Sequence, residues 1–564
     1  MDFRKPFKSQ QKSSGTPLKL IPLGGSGNIT KNMFVYEYKD DIVIVDCGVS
    51  FPDEEMMGVD LVIPNISYLR DKIHKIRAII ITHAHDDHYG GLPFLWNELK
   101  APIYSQKLTV GFIKNKFREQ NLPMDQIKVV DLSTKLKFGN FDVSFYGVSH
   151  SVPDSTGIVL KTPVGTLIHQ ADFKIDWTPV NGQKTDVGEV ARLGNEGVVL
   201  LSMDSLRSEK AGYTQSEMMI ESTFEAIEKD CKGKLLITVI TSNITRIQQA
   251  LNVALKSGRK VAVVGRSMEN NFQVARDLGY LNIPPNLIIA PDEIKRFADE
   301  KLMIIIAGSL GQPGSALSRA AHGDHKFISI KKSDTVVFSA DPMPSAEVSQ
   351  ASLINEIAKI GCSVYASNTT PELHVSGHAA AEEIKLMIEL ARPKYLMPMG
   401  GEYRHMRTFA KLAKGLGYKE NQILIPGEGE YLEIYPDRVN VAGKVDTTNV
   451  YVDGLGVGDV GDIILRDRQQ MSAEGIVLVM VPIDRTSGKV IKEPDIISRG
   501  FIFGEGWEDV IEAGKEITKS ALKDTLTIPI DHRYVRHEIQ KSLEKFFYEE
   551  TGRRPLILTN IVEV

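Results

Sequence analysis

Cysteine is scarce: Cys47, Cys231 and Cys362 are the three in a chain of 564 residues. They are scattered without a metal or redox spacing, so a disulfide framework is excluded and a reducing cytoplasm is the expected setting. No apolar run reaches the roughly 18 residues needed to cross a bilayer, and the start, MDFRKPFKSQQKSSGTPLKL, lacks the apolar segment of a secretory signal. No membrane association is expected. An excess of one charge is missing too: 67 Lys and Arg stand against 72 Asp and Glu, a net charge of −5. This argues against wholesale electrostatic attraction to nucleic acid, so positive charge for a polyanionic ligand has to be local or supplied by metal.

What is present is the composition of an ordinary globular protein, 42% hydrophobic and 25% charged, long enough for about three to four domains. A basic lead-in over residues 1–18 reads as disordered. Over 19–212, short apolar runs such as Ile42–Val45 alternate with turns, which suggests sheets with helices packed outside. Over 213–367 the pattern changes to helices alternating with parallel-type strands, among them Leu235–Ile240, Val261–Val264 and Thr335–Phe338. The first texture returns over 368–441. The Gly- and Asp-rich stretch 442–461 reads as a linker, and 462–564 as a compact C-terminal unit ending in a helix, Val535–Glu550, and a strand, Pro555–Val562.

The segment ITHAHDDHYGG, residues 81–91, carries the chemistry. It follows an isoleucine-rich strand and precedes a helix-like pattern over Leu92–Leu99, so its histidines sit on a strand-to-helix loop. Imidazoles and carboxylates are the ligands that borderline and hard divalent metals accept. In an extended segment residues two apart point the same way, so His83, His85 and Asp87 are expected to converge while His88 turns into the bend. One loop could then serve two metals. His150 in VSHSVPDS and Asp172 in LIHQADFKID, both at strand ends, are the candidates for the ligands still needed, and His169 reads as a support residue.

These segments, with Asp46 of IVDCGV, resemble the successive motifs of the metallo-β-lactamase fold, an αββα sandwich with a two-metal site. The long insertion after Asp204, followed by HVSGHA and GEYRH, resembles the β-CASP nucleic-acid-processing branch. FPDEEMMGVDLVIP, SVPDSTGIVLKTP, GRSMEN and GYTQSE are similar to the ribonuclease J family of bacteria, and the likeness runs from Leu20 to the C-terminus.

The resemblance implies an α/β architecture: the sandwich, an inserted β-CASP α/β domain and a small C-terminal α+β domain that mediates oligomerisation. It implies His83, His85 and His150 on one metal, Asp87 and His88 on the other, and Asp172 between them. Asp46 would orient the loop from behind, and Asp204 matches the acidic residue that opens the β-CASP segment. His378 and Asp87 take the catalytic roles, and His374, Val375, Ser376, Gly377 and His378 line a pocket for an RNA phosphate. The implied cofactors are two divalent metals, Zn2+ first, with Mn2+ or Mg2+ as alternatives. The implied activity is a 5′-to-3′ exonuclease and endonuclease in messenger decay and ribosomal RNA maturation. The implied partners are RNA, a homodimer or homotetramer, and a hetero-oligomer with a paralogue.

The chain also departs from the family pattern. Gly400 stands where the family has the last histidine ligand of the second metal, and His405 is five residues on. Asn28 replaces a glutamate, Gln312 another, and Gln170-Ala171 a Thr-Gly pair before Asp172. A second metal held without that ligand is expected to bind weakly, so the pattern is most like a second, degenerate bacterial paralogue. Two expectations follow: a ribonuclease weak on its own, or a largely inactive RNA-binding subunit supporting an active paralogue. Gly400 separates them.

Overall fold

A computed structural model describes residues 15–53, 55–180, 182–342, 346–454, 456–484, 487, 489–501, 507–523 and 531–563. Most of the expected lead-in lies outside the described residues, and the first strand begins at Leu18. The chain divides into two compact units, residues 1–51 with 61–450, and residues 52–60 with 451–564.

In the first unit two sheets face each other. The eight-stranded one runs Val439–Lys444, Glu430–Ile434, Leu18–Gly24, Met33–Tyr38, Asp41–Val45, Ile76–Ile80, Ile103–Ser105, Ile127–Val129, and the six-stranded one runs Tyr395–Met399, Val198–Asp204, Gly165–Gln170, Thr156–Thr162, Phe141–Gly147, Leu136–Phe138. Phe34, Val43 and Ile80 from one and Val143, Ile158, Leu167 and Met397 from the other share a single core. Burial of β-branched and aromatic side chains on facing pleats is what joins the sheets. The outer face of the six-stranded sheet is covered by the helices Val187–Glu196, Ala381–Ala391 and Tyr403–Gly415, whose apolar stripes form a second core with Ile168, Leu201 and Leu396.

The chain leaves this sandwich after Asp204 and returns at Tyr395, on the strand parallel to the one it left, with Asp204 beside Met399. Between them lies a third, wholly parallel sheet in the order Ile288–Ile289, Lys260–Val264, Leu302–Ile306, Leu235–Thr238, Thr335–Phe338, Ser363–Ala366. Strands such as LMIII at 302–306 are buried on every residue, as a sheet with helices on both faces demands.

In the second unit the strand Ile476–Ile483 lies between Asp495–Arg499, antiparallel, and Leu556–Glu563, parallel. Its alternating burial turns Val477, Val479, Val481 and Ile483 onto the helices Trp507–Lys523 and His532–Thr551. Residues 442–461, expected as a linker, carry strand at Val450–Asp453 and Gly456–Val457, because Val450-Tyr451-Val452 supplies β-formers inside the Gly-rich stretch. Residues 52–60 belong to this unit, through bonds from Asp60 N to Val452 O and from Arg468 to Met57 O.

Candidate metal centre

The candidate residues lie at the ends of strands along one rim of the sandwich. Asp46 follows Asp41–Val45 and His83 follows Ile76–Ile80, parallel neighbours in one sheet. His150, Asp172 and Gly400 follow three strands of the other, and Asp204 ends a fourth. Strand ends on a rigid scaffold hold loops at fixed distances, which suits a multidentate site.

Among the described residues three groups of ligand-type atoms form there, each within 4.8 Å: His83, His85, His150 and Asp172; then Asp87, His88 and Asp172; and Asp172 again with Asp204 and His378. In the first, His83 Nε2 and His150 Nε2 each lie 3.1 Å from His85 Nδ1, and both lie 3.6 Å from Asp172 Oδ2. Nitrogens sharing one tetrahedral ion at about 2.0–2.1 Å stand roughly 3.3 Å apart, so these spacings suit a common ion. The other nitrogen of each ring is engaged: His83 Nδ1 with Thr82 Oγ1 at 3.0 Å, His85 Nε2 with Ser151 Oγ at 3.2 Å, and His150 Nδ1 with the Gly377 carbonyl at 2.8 Å. If those nitrogens donate, the three inward lone pairs are free for a cation. Burial, the largest cause, holds His83 and His150 well below the usual histidine range and His85 at about 4. All three rings are therefore neutral at pH 7, as ligands must be.

In the second group His88 Nε2 lies 3.5 Å from Asp87 Oδ2 and 3.4 Å from Asp172 Oδ2, so Asp172 belongs to both. His88 Nδ1 lies 2.7 Å from Asp46 Oδ2. Burial pulls His88 down, but the carboxylates Asp172, Asp87 and Asp46 override it and hold it well above the ordinary value. Asp46 also accepts from Thr82 N and Oγ1, at 2.8 and 2.9 Å, and has a left-handed φ of +63°. A non-glycine residue in that conformation is strained, and the strain turns its carboxylate onto both the loop backbone and His88. The donor set of both groups, imidazole and carboxylate, fits divalent cations of zinc or manganese type.

One expectation is corrected. The loop is extended only as far as His85, which caps a single helical turn, Asp86–Tyr89. Asp87 therefore does not converge with His83 and His85 by alternation; it turns toward His88 instead. The turn is closed by Tyr89 N and Gly90 N bonding to His85 O and Asp86 O, the i to i−4 pattern of a helix.

His378 stands beside the cluster, its Nε2 3.9 Å from Asp172 Oδ2 and its Nδ1 2.8 Å from Asp204 Oδ2. Burial lowers it, but Asp204 and Asp172 together raise it to about 9. Asp204 is itself anchored by Leu206 N at 2.8 Å. Ser376 Oγ accepts from His378 N at 3.2 Å, and a Cβ on Gly377 would fall 2.6 Å from His150 Cε1, so glycine lets the loop reach the ring. His374 is half-buried and, through burial first and Arg246 second, lowered to about 3. Val375 offers its carbonyl to Arg246 at 3.2 Å.

Gly400 has φ +64°, and a Cβ built there lies 3.7 Å from Asp204 Oδ1 and 3.9 Å from Asp172 Oδ1. A side chain at this position would project at the shared carboxylate; glycine contributes nothing to it. His405 does not substitute: its Nδ1 accepts from Glu402 N at 3.1 Å, at the start of the helix Tyr403–Gly415, and its Nε2 lies 3.8 Å from Glu209. His169 lies 2.9 Å from the Tyr36 hydroxyl through Nδ1, away from both groups.

Several supports carry no sequence signal. Buried Arg246 grips Glu217 at 2.6 Å, the Ser339 carbonyl at 2.8 Å and His374 Nδ1 at 3.0 Å. Glu383, wholly buried, accepts from Ile175 N, Thr214 N and Ala380 N at 2.7, 2.7 and 2.8 Å, tying together the chain after Asp172, Asp204 and His378. Asn32 Nδ2 lies 3.2 Å from His88 Nε2. Only Thr82 and Ser151, each next to a motif histidine, were within reach of sequence inspection.

Comparison with known proteins identifies the relatives of this chain. Four family models match: metallo-beta-lactamase superfamily over residues 27–213, ribonuclease J beta-CASP domain over 232–357, Zn-dependent metallo-hydrolase RNA specificity domain over 371–426, and ribonuclease J C-terminal domain over 463–564. Ribonuclease J2 of Bacillus subtilis is 37% identical over 557 residues, 98% of this chain and 100% of that one. Ribonuclease J 1 of Streptococcus pyogenes is 38% identical over 96% of this chain and 97% of its own, and Ribonuclease J 2 of Staphylococcus aureus 34% over 98% and 99%. A solved structure, titled a protein of unknown function from Enterococcus faecalis, shares the fold over 74% of this chain and 100% of its own at 16% identity, with a TM-score of 0.52.

Proposed function

The chain belongs to the ribonuclease J family, and we propose that it is a metal-dependent ribonuclease with 5′-to-3′ exonuclease and endonuclease activity, weak when alone. The family supports a metallo-hydrolase nuclease with RNA as partner. The observation that carries the reading is the convergence of His83 Nε2, His85 Nδ1 and His150 Nε2 on Asp172 Oδ2, with His378 alongside.

His83, His85, His150 and Asp172 would hold one ion; Asp87, His88 and Asp172 would hold the other, with Asp46 fixing His88 from behind. When bound, divalent ions, Zn2+ first and Mn2+ or Mg2+ as alternatives, supply Lewis acidity that lowers the pKa of water and neutralises phosphate charge. His378, kept protonated at Nε2 by Asp204 on its far side, donates a proton to the leaving oxygen. Ser376 and the backbone at Gly377 present donors to the phosphate, as anionic oxygens require. RNA would enter as single strand, in messenger decay and ribosomal RNA maturation. The cytoplasm is the compartment proposed, and the C-terminal unit the site of homodimer, homotetramer or paralogue pairing.

Gly400 favours a second reading, a largely inactive RNA-binding subunit. Among the described residues it leaves Asp87, His88 and the shared Asp172 for the second ion. A ribonuclease assay on 5′-monophosphorylated RNA, with the protein alone and mixed with a full-ligand paralogue, tests both. Alone, turnover is expected at least about tenfold below that of the paralogue, and a His83→Ala/His85→Ala variant is expected to have none. Equal turnover would overturn the weak-enzyme reading. Residual activity indistinguishable from the double variant, with stimulation of the paralogue, would establish the binding subunit instead.

A further inference from the structure

Two aromatic rings on the loops around the site stand in solvent. Trp177 is 54% exposed and Tyr213 58%, with Met218 at 53% on the same loop as Tyr213. Rings of this size are largely covered in folded proteins. Among the described residues neither ring has a hydrogen-bond, ring or cation partner. Trp96, by contrast, is buried against Phe117.

The backbone that carries these side chains is fixed. Asp176 and Thr178, on either side of Trp177, are both tied to the segment after Tyr213: Asp176 Oδ2 accepts from Glu217 N at 3.0 Å, and Thr178 Oγ1 donates to Ser216 Oγ at 3.0 Å. Asp176 Oδ1 also accepts from Thr178 N at 2.9 Å, which closes the turn that holds the indole. Thr214, next to Tyr213, donates its hydroxyl to His378 O at 2.7 Å. Ile175 N and Thr214 N share the carboxylate of Glu383, each at 2.7 Å. The two rings therefore ride on loops bonded to each other, one starting from the shared ligand Asp172 and the other gripping His378. A rigid loop that leaves large apolar side chains in water keeps their burial free energy for a ligand.

Charge narrows the choice of ligand. The charged side chains of residues 173–178 and 213–218 are Lys174, Asp176 and Glu217, and all three are buried. What these segments show to solvent is thus apolar and uncharged, which suits a nucleobase and gives a phosphate nothing to pair with. A single strand whose scissile phosphate reaches Asp172 and His378 passes the loops that hold those residues. Every base offers a flat π face whatever its identity, and such faces stack on indole and phenol rings.

We propose that Trp177 and Tyr213, with Met218 beside them, form a stacking platform for bases of single-stranded RNA next to the scissile nucleotide. The proposal rests on the ribonuclease reading for the identity of its ligand.

The test is binding to the full chain, by fluorescence anisotropy across a salt series, of a 3′-fluorescein-labelled, cleavage-resistant 2′-O-methyl oligoadenylate and of an abasic strand with the same number of phosphates. Trp177→Ala is expected to weaken binding of the oligoadenylate about tenfold. It should leave the slope of log K against log salt unchanged, since no phosphate contact is lost, and leave the abasic strand unaffected. Trp177→Phe should keep most of the affinity, and Tyr213→Ala should weaken binding in the same base-dependent way. Val348→Ala, at a residue 70% exposed on the helix Glu347–Lys359, should change nothing. Wild-type affinity of Trp177→Ala for oligoadenylate, or an equal loss with both strands, would overturn the platform and leave the ribonuclease reading standing. Absence of binding of either strand by the wild type would overturn both. Should Trp177→Ala fail to fold, Tyr213→Ala decides: unchanged affinity for oligoadenylate overturns the platform.

Discussion

Each imidazole of the first ligand group is aimed by its outward nitrogen. Thr82, Ser151 and Gly377 engage the outward nitrogens of His83, His85 and His150, so ring orientation is set before any ion arrives. At Gly400 the same scale shows a deficit. A histidine there would adopt the left-handed conformation at about 1–2 kcal/mol, with a Cβ already 3.9 Å from Asp172 Oδ1. Gly400→His is expected to raise the metal content of purified protein toward a second equivalent by elemental analysis. Unchanged content would show that the position does not face the second ion.

Among the elements, the connections matter more than the strands. Glu383, on the first turn of the helix Ala381–Ala391, accepts three backbone N–H groups from loops that leave three separate strands and motifs. Glu383→Ala would leave those donors buried and unpaired, at about 1–3 kcal/mol each. Glu383→Gln keeps one acceptor oxygen and should retain part of the stability. Denaturant midpoints are expected in the order wild type, Gln, Ala; equal midpoints would mean that the loops hold without the carboxylate. The turn Asp86–Tyr89 acts at this scale too, because one turn of helix redirects Asp87 from the first ligand group to the second.

For the whole first unit, the site exists because two sheets close on one core. Ions that bind only where both rims meet favour the folded state by mass action. Chelation is therefore expected to lower the melting temperature of the wild type, and to leave that of His83→Ala/His85→Ala unchanged. A chelator-insensitive wild type would mean that no ion is held in the protein as purified.

The strand Ile76–Ile80, the helix Leu92–Leu99 and the parallel strands of the insertion were legible because periodicity and β-branched runs are local properties. The motif His83-x-His85-x-Asp87-His88 was legible for the same reason: ligands on one loop stay together in any fold. His150 and Asp172 could be picked only as ligand-type residues at strand ends, and His378 only by resemblance, since their meeting depends on sheet closure. The alternation argument failed at Asp87 because a four-residue helix has too few residues to leave a period in the sequence.

Sequence by itself determined the kinds of ligand, their order, and the glycine at 400, since these are matters of covalent order. Only the tertiary structure decided which ring nitrogens face inward, that Asp172 serves both groups, and that Arg246 and Glu383 anchor the loops. Those are contacts between groups far apart in the chain, made when two sheets bury a common core and bring their rims together.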